Sequence, residues 1–359
     1  MPITNGRYVN PGWVNGQPPA INASELNAVS DTLERLTSPG GRRGGYVVVG
    51  TSTEGATAFD CDFLCDGTAD DVEINAAIEM AQTLNMDVFL LNGVYKLSSP
   101  ITPYCNMLIT GQYTGSTDFL FPGTIYSPNR AYLAAQSTSV NTLIAPQATI
   151  TTLPSIRLSH ISIGDGTFAQ PAESLIDVSS SSTASFYLDD VKMYTESQYG
   201  IKGAYNSNYF LASNCEFMYT TFSGLRDSYF SGCLFLFVSF ENCGTPLASE
   251  GGNFLYSNTF IGDITLTDCS EMSFFGNQLA SVTLTAVANG AGNVICGLNN
   301  FSFNLFSGGG GITLGENTRY NMVTNNGGVN YNGGSSFSPW AGVTDNGSNN
   351  YVANNMPTS

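Results

Sequence analysis

Charged residues, and basic ones above all, are scarce in this sequence. Only 11% of its 359 residues are Asp, Glu, Lys or Arg, whereas an average soluble domain has about 25%. The 11 Lys and Arg face 28 Asp and Glu, so the formal net charge is −17 at pH 7. Surfaces that bind nucleic acid or anionic membranes need clustered Lys and Arg. The composition therefore predicts neither of these partners.

Ligands for metal ions are also rare. His160 is the only histidine and no Cys-x-x-Cys pair occurs, so a zinc site of the Cys/His type has almost no ligands. Residues 1–30 lack the apolar core of an export signal, and dispersed cysteines in a chain that is not exported favour free thiols over disulfides. We expect no metal and no cofactor. We interpret the eight cysteines as small buried hydrophobic residues: Cys61, Cys65, Cys105, Cys215, Cys233, Cys243, Cys269 and Cys296.

Long apolar runs are missing as well. The longest uncharged segment, residues 272–315, is interrupted throughout by Gly, Asn, Ser and Thr. A transmembrane helix needs about 20 consecutive, mostly apolar residues. The sequence therefore predicts no membrane insertion.

The first 37 residues predict an arm followed by one helix. Proline-rich residues 1–21 cannot sustain a helix or a central strand. Asn22 stands three residues before Glu25 in a variant of the capping box, and a narrow apolar stripe follows: Leu26, Val29, Leu33 and Leu36. This stripe must pack on another copy of itself in a short coiled coil or on the following domain. We assign residues 1–37 to attachment and oligomerisation, and the Gly- and Arg-rich residues 38–45 to a hinge.

Residues 46–100 predict a short helix and the first strands of a solenoid. Asp70 and Asp71 are acids that favour a helix N-terminus, and apolar residues follow them at helical spacing: Ile74, Ala77, Ile78 and Ala81. The run from Cys65-Asp66-Gly67-Thr68-Ala69-Asp70-Asp71 to Asn92-Gly93-Val94-Tyr95 resembles the entry to the right-handed parallel β-helix of pectate-lyase-like proteins. In that family the helix caps the N-terminal end of the solenoid.

A second resemblance lies in the N-terminal arm. The run Asn5-Gly6-Arg7-Tyr8-Val9-Asn10-Pro11-Gly12-Trp13-Val14-Asn15-Gly16, continued by Pro18-Pro19-Ala20-Ile21-Asn22-Ala23, is similar to the N-terminus of tail and appendage proteins from bacteriophages and prophages. That resemblance implies a virion protein, such as a tail spike, that is assembled in the bacterial cytoplasm and exposed on the particle. Its arm would contact other virion proteins.

Residues 101–359 repeat with the irregular period of a solenoid. Each unit has an apolar residue, a three-residue step and a two-residue step, which predicts one strand, a tight bend and the next strand. The units are Leu188-x-x-Val191-x-Met193, Ala212-x-x-Cys215-x-Phe217, Phe230-x-x-Cys233-x-Phe235, Leu255-x-x-Asn258-x-Phe260, Phe274-x-x-Asn277-x-Leu279 and Cys296-x-x-Asn299-x-Phe301. The predicted fold class is all-β: a right-handed single-stranded parallel β-helix with an N-terminal arm and helix and a short α-helical cap. It places Phe217, Phe235 and Phe260 in the core and Thr259 and Gln278 on the outside.

The middle position of the repeat changes from small hydrophobic residues to Asn258, Asn277 and Asn299. Stacked about 4.8 Å apart, these amides could hydrogen-bond along the solenoid axis. Asparagine is also an ordinary turn residue. Both interpretations are structural.

Catalysis on such a solenoid would need paired carboxylates or a base with a cation. The alignment places Lys192 and Glu216 at the same outward position of successive turns, next to Asp190, where we interpret them as a surface ion pair worth under about 1 kcal/mol. Asp263, Asp268 and Glu271 form a second acidic group around one turn. These five carboxylates are the candidate catalytic residues of a polysaccharide-cleaving hydrolase or lyase. His160 is interpreted as a packed residue in a strand-like run.

The C-terminal quarter points to binding rather than to catalysis. Residues 272–359 contain only Glu316, Arg319 and Asp345 as charges. Asparagines and exposed rings suit contact with neighbouring subunits or with neutral sugars, and the candidate rings are Tyr320, Tyr331, Trp340 and Tyr351. The first hypothesis is a homotrimeric phage appendage or tail spike that binds a host cell-surface glycan. The alternatives are a polysaccharide depolymerase on the same β-helix and a purely structural assembly component.

Overall fold

The computed structural model describes residues 3–4, 7–8, 45–104, 106–112, 130–146, 155–164, 171–179, 185–195, 199–203, 209–225, 228–241, 243, 253–286, 296–307, 310–329 and 342–355. Three long parallel sheets, called sheets I, II and III, contain 13, 10 and 9 strands. Each turn from residue 107 to residue 345 contributes one strand to each sheet, and each strand pairs with its equivalents in the preceding and following turns. This is a right-handed parallel β-helix, which confirms the predicted fold class.

The strand boundaries are as follows. Sheet I contains β3 (Tyr46–Thr51), β4 (Phe63–Cys65), β5 (Asp87–Leu90), β7 (Met107–Gly111), β10 (Ser155–Ser159), β13 (Ser185–Asp189), β16 (Tyr209–Ser213), β19 (Tyr229–Ser231), β22 (Asn253–Tyr256), β25 (Met272–Phe275), β28 (Asn300–Ser302), β31 (Met322–Thr324) and β34 (Tyr351–Ala353). Sheet II contains β6 (Gly93–Leu97), β8 (Ala131–Ala135), β11 (Ile161–Ile163), β14 (Lys192–Tyr194), β17 (Glu216–Met218), β20 (Leu234–Leu236), β23 (Thr259–Ile261), β26 (Gln278–Leu279), β29 (Leu305–Ser307) and β32 (Gly327–Val329). Sheet III contains β9 (Thr142–Ile144), β12 (Ser174–Asp177), β15 (Tyr199–Lys202), β18 (Thr221–Ser223), β21 (Ser239–Glu241), β24 (Ile264–Thr267), β27 (Val282–Thr285), β30 (Gly311–Leu314) and β33 (Gly342–Asp345).

Two short strands lie in the N-terminal arm. β1 (Ile3–Thr4) and β2 (Arg7–Tyr8) pair with each other in antiparallel orientation. The predicted helix with its Leu26, Val29, Leu33 and Leu36 stripe lies outside the described residues, and so does the hinge up to residue 44.

One α-helix, α1 (Asp71–Leu84), packs on the N-terminal strands, after a short 3₁₀ helix at Ser52–Glu54. Its apolar side is fully buried and belongs to the main core: Ile74, Ala77, Ile78 and Ala81. Asp70 accepts hydrogen bonds from the backbone N–H of Gly67 and of Lys96. These bonds tie the start of the helix to β6, so the helix packs as the predicted cap of the solenoid.

Aromatic stacks run through the core along the solenoid axis. Phe217, Phe235 and Phe260 occupy equivalent positions on successive turns, and all three are buried, as predicted. Ring centroids lie 5.1 Å apart between Phe217 and Phe235 and 4.5 Å apart between Phe235 and Phe260. The outward neighbours Thr259 and Gln278 are half-buried on the opposite side of the strands.

The predicted register is wrong for the last of the six units. Phe274 pairs with Phe301, not with Cys296, and Leu279 pairs with Phe306. The correct unit is therefore Phe301-x-x-Asn304-x-Phe306, and Asn299 belongs to a different column from Asn277.

Two asparagine ladders follow the axis, instead of the one column considered from the sequence. The first contains Asn258, Asn277, Asn304, Asn326 and Asn355, at the bend between sheets I and II. The second contains Asn299, Asn321 and Asn350, just before the sheet I strands. In each ladder the backbone N–H and the Nδ2 of one asparagine both donate to the Oδ1 of the asparagine on the next turn, at 2.9 to 3.1 Å. The hydrogen-bonded interpretation is confirmed.

The seven described cysteines are buried free thiols, as predicted, while Cys105 lies outside the described residues. Burial raises the pKa of the Cys296 thiol to about 12. A thiol at this pKa is protonated at neutral pH and reacts slowly, because the thiolate is the nucleophile. We expect these seven cysteines to resist alkylation at pH 7 until the chain is denatured, as measured by mass spectrometry. Modification of Cys296 at the rate of a free thiol would contradict its burial.

Candidate binding surface

The outer face of sheet I carries a column of exposed apolar side chains. Tyr187, Leu211, Tyr229 and Phe254 are paired in register on four successive turns. Each side chain is 38–50% exposed. Large apolar residues scattered singly on a surface are ordinary, whereas a contiguous row of them marks an interaction site.

A second column of exposed rings lies beside the first on the outer face of sheet I, two residues further along the strands. Tyr256 and Phe275 are paired in register with stacked rings 5.7 Å apart, and the Phe303 ring lies 5.3 Å from that of Phe275. At the other end, the Arg157 guanidinium lies 5.7 Å from the centroid of the Tyr187 ring. We call the whole set the aromatic stripe: Tyr187, Leu211, Tyr229, Phe254, Tyr256, Phe275 and Phe303. It extends from β13 to the bend after β28, five steps of about 4.8 Å or about 24 Å along the axis.

Small polar side chains border the stripe. Ser213 and Ser231 stand two residues after Leu211 and Tyr229, on the same outer face. Ser273 stands two residues before Phe275, and Asn300 pairs with it on the next turn. Strands β16 to β34 of sheet I contain no charged residue. The arrangement offers flat apolar rings beside hydroxyl and amide groups on an uncharged surface.

Two of the four predicted binding rings can be placed. Tyr351 is 60% exposed and stands in the same outward column as Phe254, beyond Ser273, Asn300 and Met322. Tyr320 is 59% exposed and lies at the bend before β31. Tyr331 and Trp340 lie outside the described residues. The sequence analysis did not identify the aromatic stripe, although its exposed apolar residues stand at alternate positions of the strands from β13 to β25.

Asp190 is held in an ion pair at the bend between β13 and β14. Arg130 donates from one guanidinium nitrogen to the Asp190 carboxylate and from the other to its backbone carbonyl. His160 Nε2 lies 4.0 Å from the same carboxylate. His160 occupies the equivalent bend of the previous turn with φ of 55° and a half-buried side chain. The prediction that it packs within a strand is wrong, because it sits between β10 and β11.

Glu216 is paired with Lys192, as the alignment predicted. The two residues are register partners, with Lys192 Nζ 3.2 Å from Glu216 Oε1. The prediction of an exposed pair is wrong, since Lys192 is only 7% exposed. A second apolar cluster lies on the outer face of sheet II and includes Tyr194, two residues after Lys192, together with Met218 and Leu236.

The remaining three acids are spread around one turn. Asp263 precedes β24 and Asp268 follows it, so four strand residues place them about 16 Å apart. Glu271 lies at the next bend, before β25. Asp190 and Glu216 each face a basic partner, and Asp263 is distant from Asp268. Asp268 and Glu271 lie three residues apart in the connection between β24 and β25.

One further group has ligand atoms within 4.8 Å of one another: Cys65, Asp70 and Glu73. Burial raises the pKa of the Cys65 thiol and of the Asp70 carboxyl group. A metal needs deprotonated ligands, and both Asp70 oxygens already accept backbone N–H groups. The geometry gives the group a structural role at the start of α1.

No protein-family model, curated protein or solved structure matches this chain. Among the described residues, no helix combines the length and apolar character needed to span a bilayer. The fold and the aromatic stripe are therefore the basis for assigning a function.

Proposed function

We propose that this chain forms the elongated body of a phage or prophage appendage that binds an uncharged glycan of the host surface. The observation that carries the proposal is the aromatic stripe with its hydroxyl and amide border. The resemblance of residues 5–23 to phage appendage proteins supports the viral assignment. In this proposal the arm attaches the protein to other virion proteins, and the chain associates as a homotrimer.

The chemistry of the stripe favours sugars without charge. The C–H face of a sugar ring packs on an aromatic face, while its hydroxyl groups exchange hydrogen bonds with Ser and Asn side chains. An anionic glycan would meet a chain with a net charge of −17 and an outer face without basic residues from β16 onward. Binding should therefore depend little on salt, because screening weakens only interactions between charges.

A binding experiment tests the role of the stripe. The purified chain is titrated onto an array that contains neutral and anionic bacterial surface polysaccharides. We expect retention on a neutral glycan, and Tyr229→Ala or Phe254→Ala should weaken it at least about tenfold, since each ring contributes about 1 kcal/mol or more beyond its buried area.

Thr283→Ala provides the matched control, because Thr283 is a half-buried residue of the outer face of sheet III, away from the stripe. Its binding should equal that of the wild-type chain. Equal retention of the two ring variants and the control would contradict the proposal.

The role of the carboxylates is tested separately. We expect single amide substitutions of the five candidate acids, Asp190→Asn, Glu216→Gln, Asp263→Asn, Asp268→Asn and Glu271→Gln, to leave glycan retention unchanged. The polysaccharide is then recovered and its chain length measured by size-exclusion chromatography. Shortened products that disappear in one amide variant with an intact fold would identify a depolymerase instead.

A further inference from the structure

The aromatic stripe begins beside the single cation of sheet I. Arg157 is the one Lys or Arg in the described strands of this sheet. It stands on β10 between the buried Ile156 and Leu158, so its side chain points outward, and it is exposed. In register it lies between Leu108 on the preceding strand of the sheet and Tyr187, the first ring of the stripe, on the following one.

The protein itself makes little use of this guanidinium. Within the described part of the chain, Arg157 forms no ion pair and its guanidinium donates no hydrogen bond. Its contact is with Tyr187, whose ring centroid lies 5.7 Å from the guanidinium carbon. Arg130, by contrast, is paired with Asp190. A guanidinium has five N–H donors in a fixed planar fork, and those of Arg157 are left for solvent or for a ligand.

A hydrogen-bond acceptor stands beside the same ring. Asp189 lies on β13 two residues after Tyr187, on the same outer face, and is exposed. One strand across and two residues along, its Cα is about 8 Å from that of Arg157. Ser213 Oγ and Asn214 Nδ2 both donate to Asp189 Oδ1, which orients the carboxylate. Its Oδ2 accepts no hydrogen bond from the described residues.

We propose that Arg157, Tyr187 and Asp189 form the end subsite of the glycan site and bind one neutral sugar through its free hydroxyl groups. The inference rests on the proposed function, because it takes the aromatic stripe to be a glycan site. The guanidinium donates to sugar oxygens, Asp189 Oδ2 accepts from a hydroxyl, and the apolar side of the sugar packs against the Tyr187 ring. Arg157 and Asp189 then determine which sugar is bound at this end.

The neighbouring carboxylates favour a neutral sugar over an acidic one. Asp189 and Asp190 stand together at the end of β13, where they repel a further negative charge. Arg130 is already bound to Asp190 through its carboxylate and its backbone carbonyl, so one guanidinium remains for the ligand. A hydroxyl both donates and accepts, and it can therefore satisfy Arg157 and Asp189 without adding charge.

This subsite differs from the rest of the stripe in the strength of its hydrogen bonds. The border of the stripe consists of neutral Ser and Asn side chains, whereas Arg157 and Asp189 are charged. Hydrogen bonds to charged groups are about twice as strong as those between neutral groups. A site built to bind hydroxyls rejects an analogue that lacks them, because its polar groups lose their partners. We therefore expect the choice of sugar to be made at this end.

Substitutions at Arg157 test the subsite with the neutral glycan that the array retains. Arg157→Gln removes the charge and the fork, while Arg157→Lys keeps the charge and removes the fork. We expect each to lower the affinity at least about tenfold, with an unchanged far-UV dichroism spectrum because the side chain is exposed. Lys96→Gln is the matched control, since Lys96 is an exposed cation on the outer face of sheet II, and it should bind like the wild-type chain.

Asp189→Asn tests the acceptor. Ser213 and Asn214 hold the oxygen of the new amide, as they hold Oδ1 of the carboxylate, so its NH₂ group takes the place of Oδ2. A donor then stands where the proposal needs an acceptor. We expect this variant also to lose at least about tenfold in affinity for the same glycan.

The outcomes separate this inference from the proposed function. If Arg157→Gln binds like Lys96→Gln while Tyr229→Ala binds weakly, the stripe binds glycan without this subsite and the inference alone is overturned. If no glycan is retained, or if Tyr229→Ala binds like the wild-type chain, both fail. Wild-type binding by Arg157→Lys or by Asp189→Asn would overturn the proposed hydrogen bonds. If that binding weakens as salt is raised, Arg157 holds an anionic group instead.

Discussion

Replacing Phe235 by Ala is expected to lower the free energy of unfolding by about 3 to 5 kcal/mol. The ring is fully buried and is stacked between Phe217 and Phe260, with centroids at 5.1 and 4.5 Å. Backbone hydrogen bonds between the strands of sheet II hold the stacked rings above and below in place. The space left by the Phe235 ring therefore cannot close by a shift of one strand. The denaturant midpoint, followed by far-UV dichroism, measures the change.

The outward residue Gln278 provides the control for this prediction. It lies on the same sheet, half-buried on the opposite side of the strand, so Gln278→Ala should change stability by no more than about 0.5 kcal/mol. If Gln278→Ala were as damaging as Phe235→Ala, the strands would be displaced by one residue and every inward and outward assignment would reverse.

Replacing Asn277 by Ala is expected to cost about 3 kcal/mol or more. The Asn277 side chain is 1% exposed and makes four hydrogen bonds: its Oδ1 accepts the N–H and Nδ2 of Asn258, and its Nδ2 donates to the Leu255 carbonyl and to Asn304 Oδ1. Truncation leaves several buried polar groups without hydrogen-bond partners, and each such group lowers the free energy of unfolding by about 1 to 3 kcal/mol. Chemical denaturation again provides the measurement.

Two further variants separate the ladder from a simple loss of volume. Asn300→Ala lies on the outer face, outside both ladders, and should cost well under half as much. Asn277→Asp keeps the acceptor but buries a carboxylate without a donor for the Leu255 carbonyl. Burial should raise its pKa in the folded state above the unfolded value, so the variant should regain stability as the pH falls. A variant whose stability relative to wild type does not change with pH would contradict the ladder geometry.

The repeat predicted the solenoid because its signal is local and frequent. An apolar residue, a bend and a second apolar residue recur on each turn, and Phe217 or Phe260 can be placed inside from that pattern alone. The last unit failed for a physical reason. Phe301 has an asparagine before it, at Asn299, and one after it, at Asn304. It can therefore be the last apolar residue of one repeat unit or the first apolar residue of another. Only the pairing of Phe274 with Phe301 decides between the two.

The surfaces were harder to predict than the core. Tyr187, Tyr229 and Phe254 are separated by loops of unequal length, so they form one row only when the register is known. Lys192 was expected to be exposed but is buried, and the apolar cluster of sheet II consists of residues from several turns. Such features depend on contacts between distant parts of the chain. A single strand carries little information about them.

The two ladders also restrict how one turn can slide over the next. Alternation of inward and outward residues forbids a slip of one residue, because it would turn the core outward, but a slip of two keeps every apolar residue inside. Such a slip would move Asn326 away from Asn304 and Asn321 away from Asn299 at the same time. The two ladders therefore fix the register between successive turns of unequal length, because only one register satisfies the amide hydrogen bonds of both ladders.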